Sequence, residues 1–163
     1  MLQGMIYSNE TALWKSILHN QKQAWLKMHS GSMSPLMPTG AYIFVKYLEH
    51  KKIRVGDIVL YIDENQLVAH RILKVNTAKN QCLQGGDSSP ITSIISIDNI
   101  IGVIEKIKVN DKEFDISDHH GLSLIITLSS LLITYVRPFS PKAGHLLHRV
   151  KIRLVHKIVK YLL

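Results

Sequence analysis

Residues 41 to 116 form a succession of short β-branched and aromatic segments separated by turn sequences, a pattern that limits the fold more than any other feature. Such segments, joined by turns that contain Asp, Asn or Gly, are typical of antiparallel strands in hairpins. They predict a mainly β fold with an antiparallel domain over residues 24–117. Residues 91–98 follow no single pattern. The predicted strands are Ala24–His29, Ala41–Tyr47, Ile58–Ile62, Leu67–Val75, Gln81–Gln84, Ile100–Val109 and Lys112–Ile116.

Helices are predicted on both sides of this domain. Ser8–Gln23 carries apolar residues at helical spacing, so residues 1–23 form an N-terminal helical segment. Met1–Glu10 lacks the basic stretch and apolar run of a secretory signal peptide. Residues 121–163 form a C-terminal region of two predicted helices, one apolar and one basic and amphipathic.

The C-terminal region predicts association with a membrane. Leu122–Val136 carries no charge. As a helix it is roughly 24 Å long, short of a ~30 Å hydrocarbon core, so a short span, an in-plane insertion and a buried core helix all remain open. Ala143–Leu163 has an apolar stripe beside a basic one, which suits an anionic membrane surface; an ordinary helix covering the domain is the alternative.

The charge of the chain indicates an anionic partner. Its 163 residues carry a net charge of +8 and a pI near 9.6. We favour lipid over nucleic acid, because only 7% of the residues are aromatic and no nucleic-acid-binding motif is present. The single cysteine, Cys82, excludes an intramolecular disulfide and is interpreted as a small buried strand residue. No cofactor or metal is expected, since no cysteine or carboxylate completes a ligand set with His119, His120, His145 or His148.

Three polar residues are candidates for chemistry. Ser32 lies in Ser30-Gly31-Ser32-Met33-Ser34-Pro35, where small side chains would let a substrate backbone approach; an ordinary loop uses the same residues. His70 lies within a predicted strand and could act as the base for a serine hydroxyl, although a buried structural histidine fits the same pattern. Asp87 follows two glycines and could fix the imidazole tautomer or stabilise its own turn.

Four short sequence motifs, here called boxes, resemble those of the signal peptidase I superfamily and follow one another in the same order. This superfamily includes the LexA-type self-cleaving repressors. The boxes are Ser30-Gly31-Ser32-Met33-Ser34-Pro35, Gly56-Asp57-Ile58-Val59, His70-Arg71-Ile72 and Gly86-Asp87-Ser88-Ser89. Most bacterial signal peptidases and LexA-type proteins use lysine as the base. A histidine in this box is similar to the Ser-His branch of archaeal and endoplasmic-reticulum signal peptidases.

The resemblance implies a role for each matching residue. Ser32 would be the nucleophile and His70 the general base, and the hydroxyl of Ser30 would help the backbone N–H of Ser32 to stabilise an oxyanion. Asp87 matches the acid box. This chain departs from the family at Gly40-Ala41, where relatives often have Gly-Asp, and at Ser93, near the place of a second Asp in several His-type relatives.

Those departures leave the third catalytic member open. Asp87, the next acid Asp98, and a Ser-His dyad are the alternatives. The sequence thus predicts a membrane-associated serine endopeptidase that cleaves a signal or leader peptide, and its substrate would be a peptide or preprotein. The resemblance implies a substrate strand along a sheet edge, with small residues beside the scissile bond. The alternative is a non-catalytic or self-cleaving LexA-like regulator, or a membrane-binding module on the same fold.

Overall fold

The computed structural model describes residues 2–48 and 53–162. Met1 and Leu163, the outermost residues of the predicted terminal segments, lie outside this description. The three helices are α1 (Leu2–Gln21), α2 (His120–Val136) and α3 (Pro141–Leu162). The eight strands are β1 (Gln23–Lys27), β2 (Tyr42–Tyr47), β3 (Ile58–Asp63), β4 (Gln66–Asn76), β5 (Gln81–Gly85), β6 (Thr92–Ser96), β7 (Ile100–Val109) and β8 (Lys112–Asp115).

All described strand pairs are antiparallel, and the strands form one sheet in the order β1-β2-β7-β3-β4-β5-β6, with β8 paired to β7. The predicted fold class, mainly β with helices at both ends, is therefore confirmed. Glu64 and Asn65 form the tight turn between β3 and β4 and both have positive φ, as a two-residue hairpin turn requires.

Two elements differ from the prediction. The first helix begins at Leu2 rather than Ser8, and residues 91–98, which follow no pattern, contain β6 at the edge of the sheet. Its exposed Ile94 faces solvent, so the alternation that normally marks a half-buried strand is absent from the sequence. The strand β6 is therefore identified by its pairing with β5 in the folded sheet and not by its own sequence pattern.

The core lies on both faces of the sheet. Successive residues of β3 point to opposite sides, so Ile58 and Leu60 join one apolar cluster while Val59 and Tyr61 join the other. The first four residues of this strand are therefore buried, on both faces of the sheet. Cys82 is buried as expected and belongs to the second cluster.

Candidate active site

The Ser32 segment is a loop between β1 and β2 that is fixed to the first core cluster. Met33 and Met37 are fully buried in that cluster, and the N–H of Met37 donates to the carbonyl of Met33 at 3.0 Å. Ser32 itself is half-buried, and its Oγ lies 3.3 Å from the exposed Ser30 hydroxyl. Buried methionines on one side of the loop thus leave the serine hydroxyls near the surface.

His70 lies on β4, opposite Val59 of β3, and is partly buried. Its Nδ1 atom lies 2.6 Å from Oε1 of Gln84 on β5 and 3.2 Å from the hydroxyl of Tyr61 on β3. Gln84 pairs with Ile72, two residues beyond His70, so the imidazole and the amide are diagonal neighbours on one face of the sheet.

Gly86 lies between the serine loop and His70. A Cβ atom at this glycine would lie 2.6 Å from the carbonyl oxygen of Ser32 and 3.2 Å from Nε2 of His70. Both groups therefore lie close to the same point. No described contact joins the Ser32 hydroxyl to His70 directly, but hydrogen bonds of catalytic groups are often long before substrate binds.

Ser88 ties the two loops together. Its N–H donates to the carbonyl of Ser32 at 3.0 Å, and its Oγ lies 2.8 Å from that oxygen and 2.9 Å from the carbonyl of Gly31. The carbonyl of Ser88 in turn lies 3.1 Å from Nε2 of His148 on α3. The position of the serine loop thus depends on the Gly86-Asp87-Ser88-Ser89 box and, through it, on α3.

Asp87 is brought close to the site but does not hydrogen-bond to His70. Its two carboxylate oxygens accept hydrogen bonds from Nε and Nη2 of Arg71, at 2.9 and 2.7 Å, and both residues are buried. Arg71 also donates through Nη1 to the carbonyl of Gly56 and to the hydroxyl of Ser123 on α2. The carboxylate therefore neutralises a buried guanidinium.

Asp98 is not brought to the site. It accepts a hydrogen bond of 2.7 Å from Asn80, just beyond the end of β4. His70 lies six residues before that end, roughly 20 Å away at about 3.3 Å per residue. The hydrogen bond between Asp98 and Asn80 therefore lies beyond one end of β4, whereas His70 lies within that strand.

Burial sets the protonation of the site. Removal from water is the main cause that lowers the pKa of His70, and the Gln84 hydrogen bond and the charges of Asp87 and Asp63 oppose it only in part. Burial also raises the pKa of Tyr61 to about 12, so its phenol stays protonated. His70 is thus a neutral imidazole at neutral pH, the state that a general base needs.

Sequence reasoning missed the neighbours of these residues. Gln84, Tyr61 and Ser88 contact the candidate catalytic groups, and only the hairpin register of β4 and β5 could have indicated the first of them. Ser123 could not have been found, since α2 follows the whole sheet in the chain. Within residues 2–48 and 53–162, no group of three or more His, Cys, Asp or Glu side chains could hold a metal ion.

No family model matches the chain. It is similar to signal peptidase complex catalytic subunits SEC11 of two Candida albicans strains, WO-1 and SC5314, at 32% identity over 95 residues, or 55% of this chain. It is also 31% identical over 94 residues to the putative signal peptidase complex catalytic subunit SEC11B of Homo sapiens. The match covers 57% of the length of each relative. These similarities confirm the resemblance to signal peptidases.

Proposed function

We propose, because this chain is related to the catalytic subunits of signal peptidase complexes, that it is a serine endopeptidase that cleaves a signal or leader peptide from a preprotein. The observation that supports this most directly is the approach of the Ser32 carbonyl and His70 Nε2 to a common point at Gly86. Two segments far apart in the chain thus bring the backbone of a serine and a neutral imidazole near the same glycine.

The reaction follows from these groups. His70 accepts the proton of the Ser32 hydroxyl as Oγ attacks the peptide carbonyl, and the resulting imidazolium returns the proton to the leaving amine. The Ser30 hydroxyl and the Ser32 N–H stabilise the oxyanion, and one such donor contributes about 3 kcal/mol. Water then hydrolyses the acyl-enzyme, again with His70 as the base.

In this proposal the catalytic pair is a dyad. Both carboxylate oxygens of Asp87 accept hydrogen bonds from Arg71. Asp87 therefore holds the loop that carries Gly86 and Ser88 instead of orienting the imidazole. Its negative charge still opposes the loss of basicity of His70. Of the three alternatives that the sequence leaves open, the contacts support the Ser-His dyad.

We also propose that α2 and α3 attach the protein to an anionic membrane. Among the described residues one helical stretch, Ser117–Val136, is long and apolar enough to cross a bilayer, with a mean hydropathy of 1.4. Its inner face is fixed to the sheet, since Ser123 Oγ donates to the Gly56 carbonyl at 2.6 Å and Thr127 is fully buried. A helix with one face on the sheet fits insertion in the plane of the membrane interface.

The helical hairpin formed by α2 and α3 has an outward face that suits the membrane interface. An apolar groove of about 130 Å³ lies between α2 and α3, and basic side chains lie on the exposed surface of α3. The exposed apolar residues are Leu124, Ile125, Leu128, Leu132, Tyr135, Leu146, Val150 and Leu154. The exposed basic residues of α3 include Arg149, Arg153, Lys157 and Lys160.

Covalent labelling tests the proposed chemistry. A fluorophosphonate probe, which reacts with activated serines, should modify Ser32 in the folded protein, as located by peptide mass spectrometry. Labelling should be lost in Ser32→Ala and His70→Ala. It should persist in the matched controls Ser34→Ala, in the same loop, and His29→Ala, an exposed histidine. Labelling that survives in His70→Ala would refute the proposed base, and absence of labelling in the folded wild type would favour a non-catalytic protein on this fold.

A further inference from the structure

We infer that Gln84, held by Ser93, orients His70 and so takes the place that a carboxylate occupies in a Ser-His-Asp triad. This inference rests on the proposed function, since it assigns a positioning residue to the same reaction. It depends on contacts that neither the motif boxes nor the relatives indicate. The result is a serine–histidine–glutamine arrangement in which the third member carries no charge.

The contacts of Gln84 are specific at both ends of its amide. Oε1 lies 2.6 Å from Nδ1 of His70, the shortest distance that either ring nitrogen makes in the described contacts. Nε2 donates to the hydroxyl of Ser93, directly opposite on the edge strand β6. In this orientation the amide nitrogen faces Ser93 and the carbonyl oxygen faces the imidazole.

This arrangement selects one tautomer of the neutral imidazole. An amide oxygen only accepts hydrogen bonds, so the proton of the ring must lie on Nδ1. Nε2 then carries the lone pair, and Nε2 is the atom that approaches Gly86 and the Ser32 loop. Without such a partner both tautomers would be populated, and the Nε2–H form could not accept the serine proton.

Burial strengthens the effect of this hydrogen bond. Gln84 is 4% exposed, so water competes little for either end of its amide. The other titratable groups that act on His70 are Tyr61, Asp63 and Asp87. Tyr61 stays protonated, Asp63 lies at the exposed end of β3, and Asp87 is paired with Arg71. None of the three makes a closer contact with Nδ1 than Gln84 does.

A second glutamine on β5 supplies a matched control. Gln81 faces Ser96 on β6 just as Gln84 faces Ser93, but Gln81 is exposed and lies at the end of the strand remote from His70. The variants are therefore Gln84→Met, which keeps the length of the side chain and removes the acceptor, Gln84→Glu, which restores a carboxylate, and Gln81→Met. Circular dichroism identifies variants that remain folded.

Nitrogen-15 NMR of the imidazole tests the tautomer without any substrate. In the full-length wild type at pH 7 we expect His70 to carry its proton on Nδ1, and in Gln84→Met we expect a substantial Nε2–H population. Gln81→Met should match the wild type. A wild-type His70 protonated on Nε2 would overturn the inference, whether or not the protein is a peptidase.

The rate of fluorophosphonate labelling at Ser32, measured against pH, tests the consequence for reactivity. Gln84→Met should react at least tenfold more slowly, within the ~10²–10⁴-fold that a general base contributes. Gln84→Glu should retain the rate, and its pH midpoint should move upward because a carboxylate favours the imidazolium. Equal rates and midpoints in Gln84→Met and Gln81→Met would overturn the inference alone, whereas labelling in Ser32→Ala would overturn the proposed function as well.

Discussion

Arg71 and Asp87 form a buried ion pair in which two guanidinium N–H groups donate to two carboxylate oxygens, at 2.9 and 2.7 Å. Arg71 follows His70 on β4, and Asp87 follows Gly86. The same guanidinium donates to the hydroxyl of Ser123 on α2, at 2.5 Å. One side chain therefore joins the strand that carries the proposed base, the loop beside the serine and the C-terminal hairpin.

Loss of Arg71 should be strongly destabilising. Arg71→Met would leave the Asp87 carboxylate buried without its counter-ion, which typically costs 3–5 kcal/mol, so we expect the free energy of unfolding in urea to fall by about 4 kcal/mol. The double variant Arg71→Met/Asp87→Leu should recover part of that loss, because no unpaired charge remains. Lys106→Met, which breaks an exposed ion pair with Glu113, serves as the control and should change little.

A further variant, Asp87→Asn, distinguishes two roles of Asp87. If Asp87 only holds the loop, Asp87→Asn should lower stability and reduce Ser32 labelling only in proportion to the unfolded fraction. A large loss of labelling in an Asp87→Asn protein that unfolds at the wild-type urea concentration would contradict the dyad and assign the acid role to Asp87.

Gly86 should not tolerate a side chain. In Gly86→Ala the new Cβ would lie 2.6 Å from the carbonyl oxygen of Ser32, so either the serine loop or the loop that carries Gly86 must move. We expect a loss of stability of about 1–3 kcal/mol, as for other overpacked sites, together with the loss of Ser32 labelling. Gly121→Ala is the matched control, because its added Cβ would meet no atom within 4 Å apart from its chain neighbours and the backbone of its own helix. Wild-type labelling in Gly86→Ala would show that the two loops are not closely apposed.

Much of this arrangement could be predicted from the sequence, since the strands with alternating or wholly apolar patterns are where the pattern places them. The resemblance to signal peptidases implied that Ser32 and His70 act together, and the Ser32 carbonyl and His70 Nε2 both lie near Gly86. The role of Arg71 could not be predicted, because a charged residue next to a candidate base gives no sign that it is buried. Arg71 and His70 are neighbours on β4, so their side chains point to opposite faces of the sheet. Which of the two faces is covered by α2, and so which residue is the buried partner of Asp87, depends on tertiary packing that the sequence does not reveal.

His148 should make stability depend on pH. Its Nε2 lies 3.1 Å from the Ser88 carbonyl, and its Nδ1 is buried without a hydrogen-bond partner in the described part of the chain. Burial, followed by the charge of Lys151, lowers its pKa below the usual 6.5. The unfolded imidazole therefore takes up a proton at a pH where the folded one does not, so stability is complete above about pH 6.5 and decreases as the pH falls below it.

Unfolding in urea between pH 5 and pH 8 measures this dependence. His148→Gln keeps a donor for the Ser88 carbonyl without a titratable group, so its stability should fall less steeply below pH 6.5. His156→Gln, which replaces an exposed histidine on the same helix, should retain the wild-type slope. Because the pKa of His70 is also lowered, part of the slope should remain in His148→Gln. Identical slopes in all three proteins would exclude His148 as a source.

Membrane binding should depend on the outward face of α2. Leu128 and Leu132 are 64% and 51% exposed and lie one turn apart on that face. Leu128→Glu and Leu132→Glu each forfeit the ~1.5–3 kcal/mol that burial of a leucine contributes, so we expect each to weaken binding to phosphatidylserine-containing vesicles about tenfold or more. Ile94→Glu on β6, where the wild-type side chain is 65% exposed, is the matched control and should bind as the wild type does.

Co-sedimentation with the vesicles at increasing salt separates the apolar contribution of α2 from the electrostatic contribution of α3. The basic face of α3 should add about 1 kcal/mol per Lys or Arg near the surface at low ionic strength. Equal binding by Leu128→Glu and Ile94→Glu would place the contact elsewhere and leave α2 as a helix that only covers the sheet.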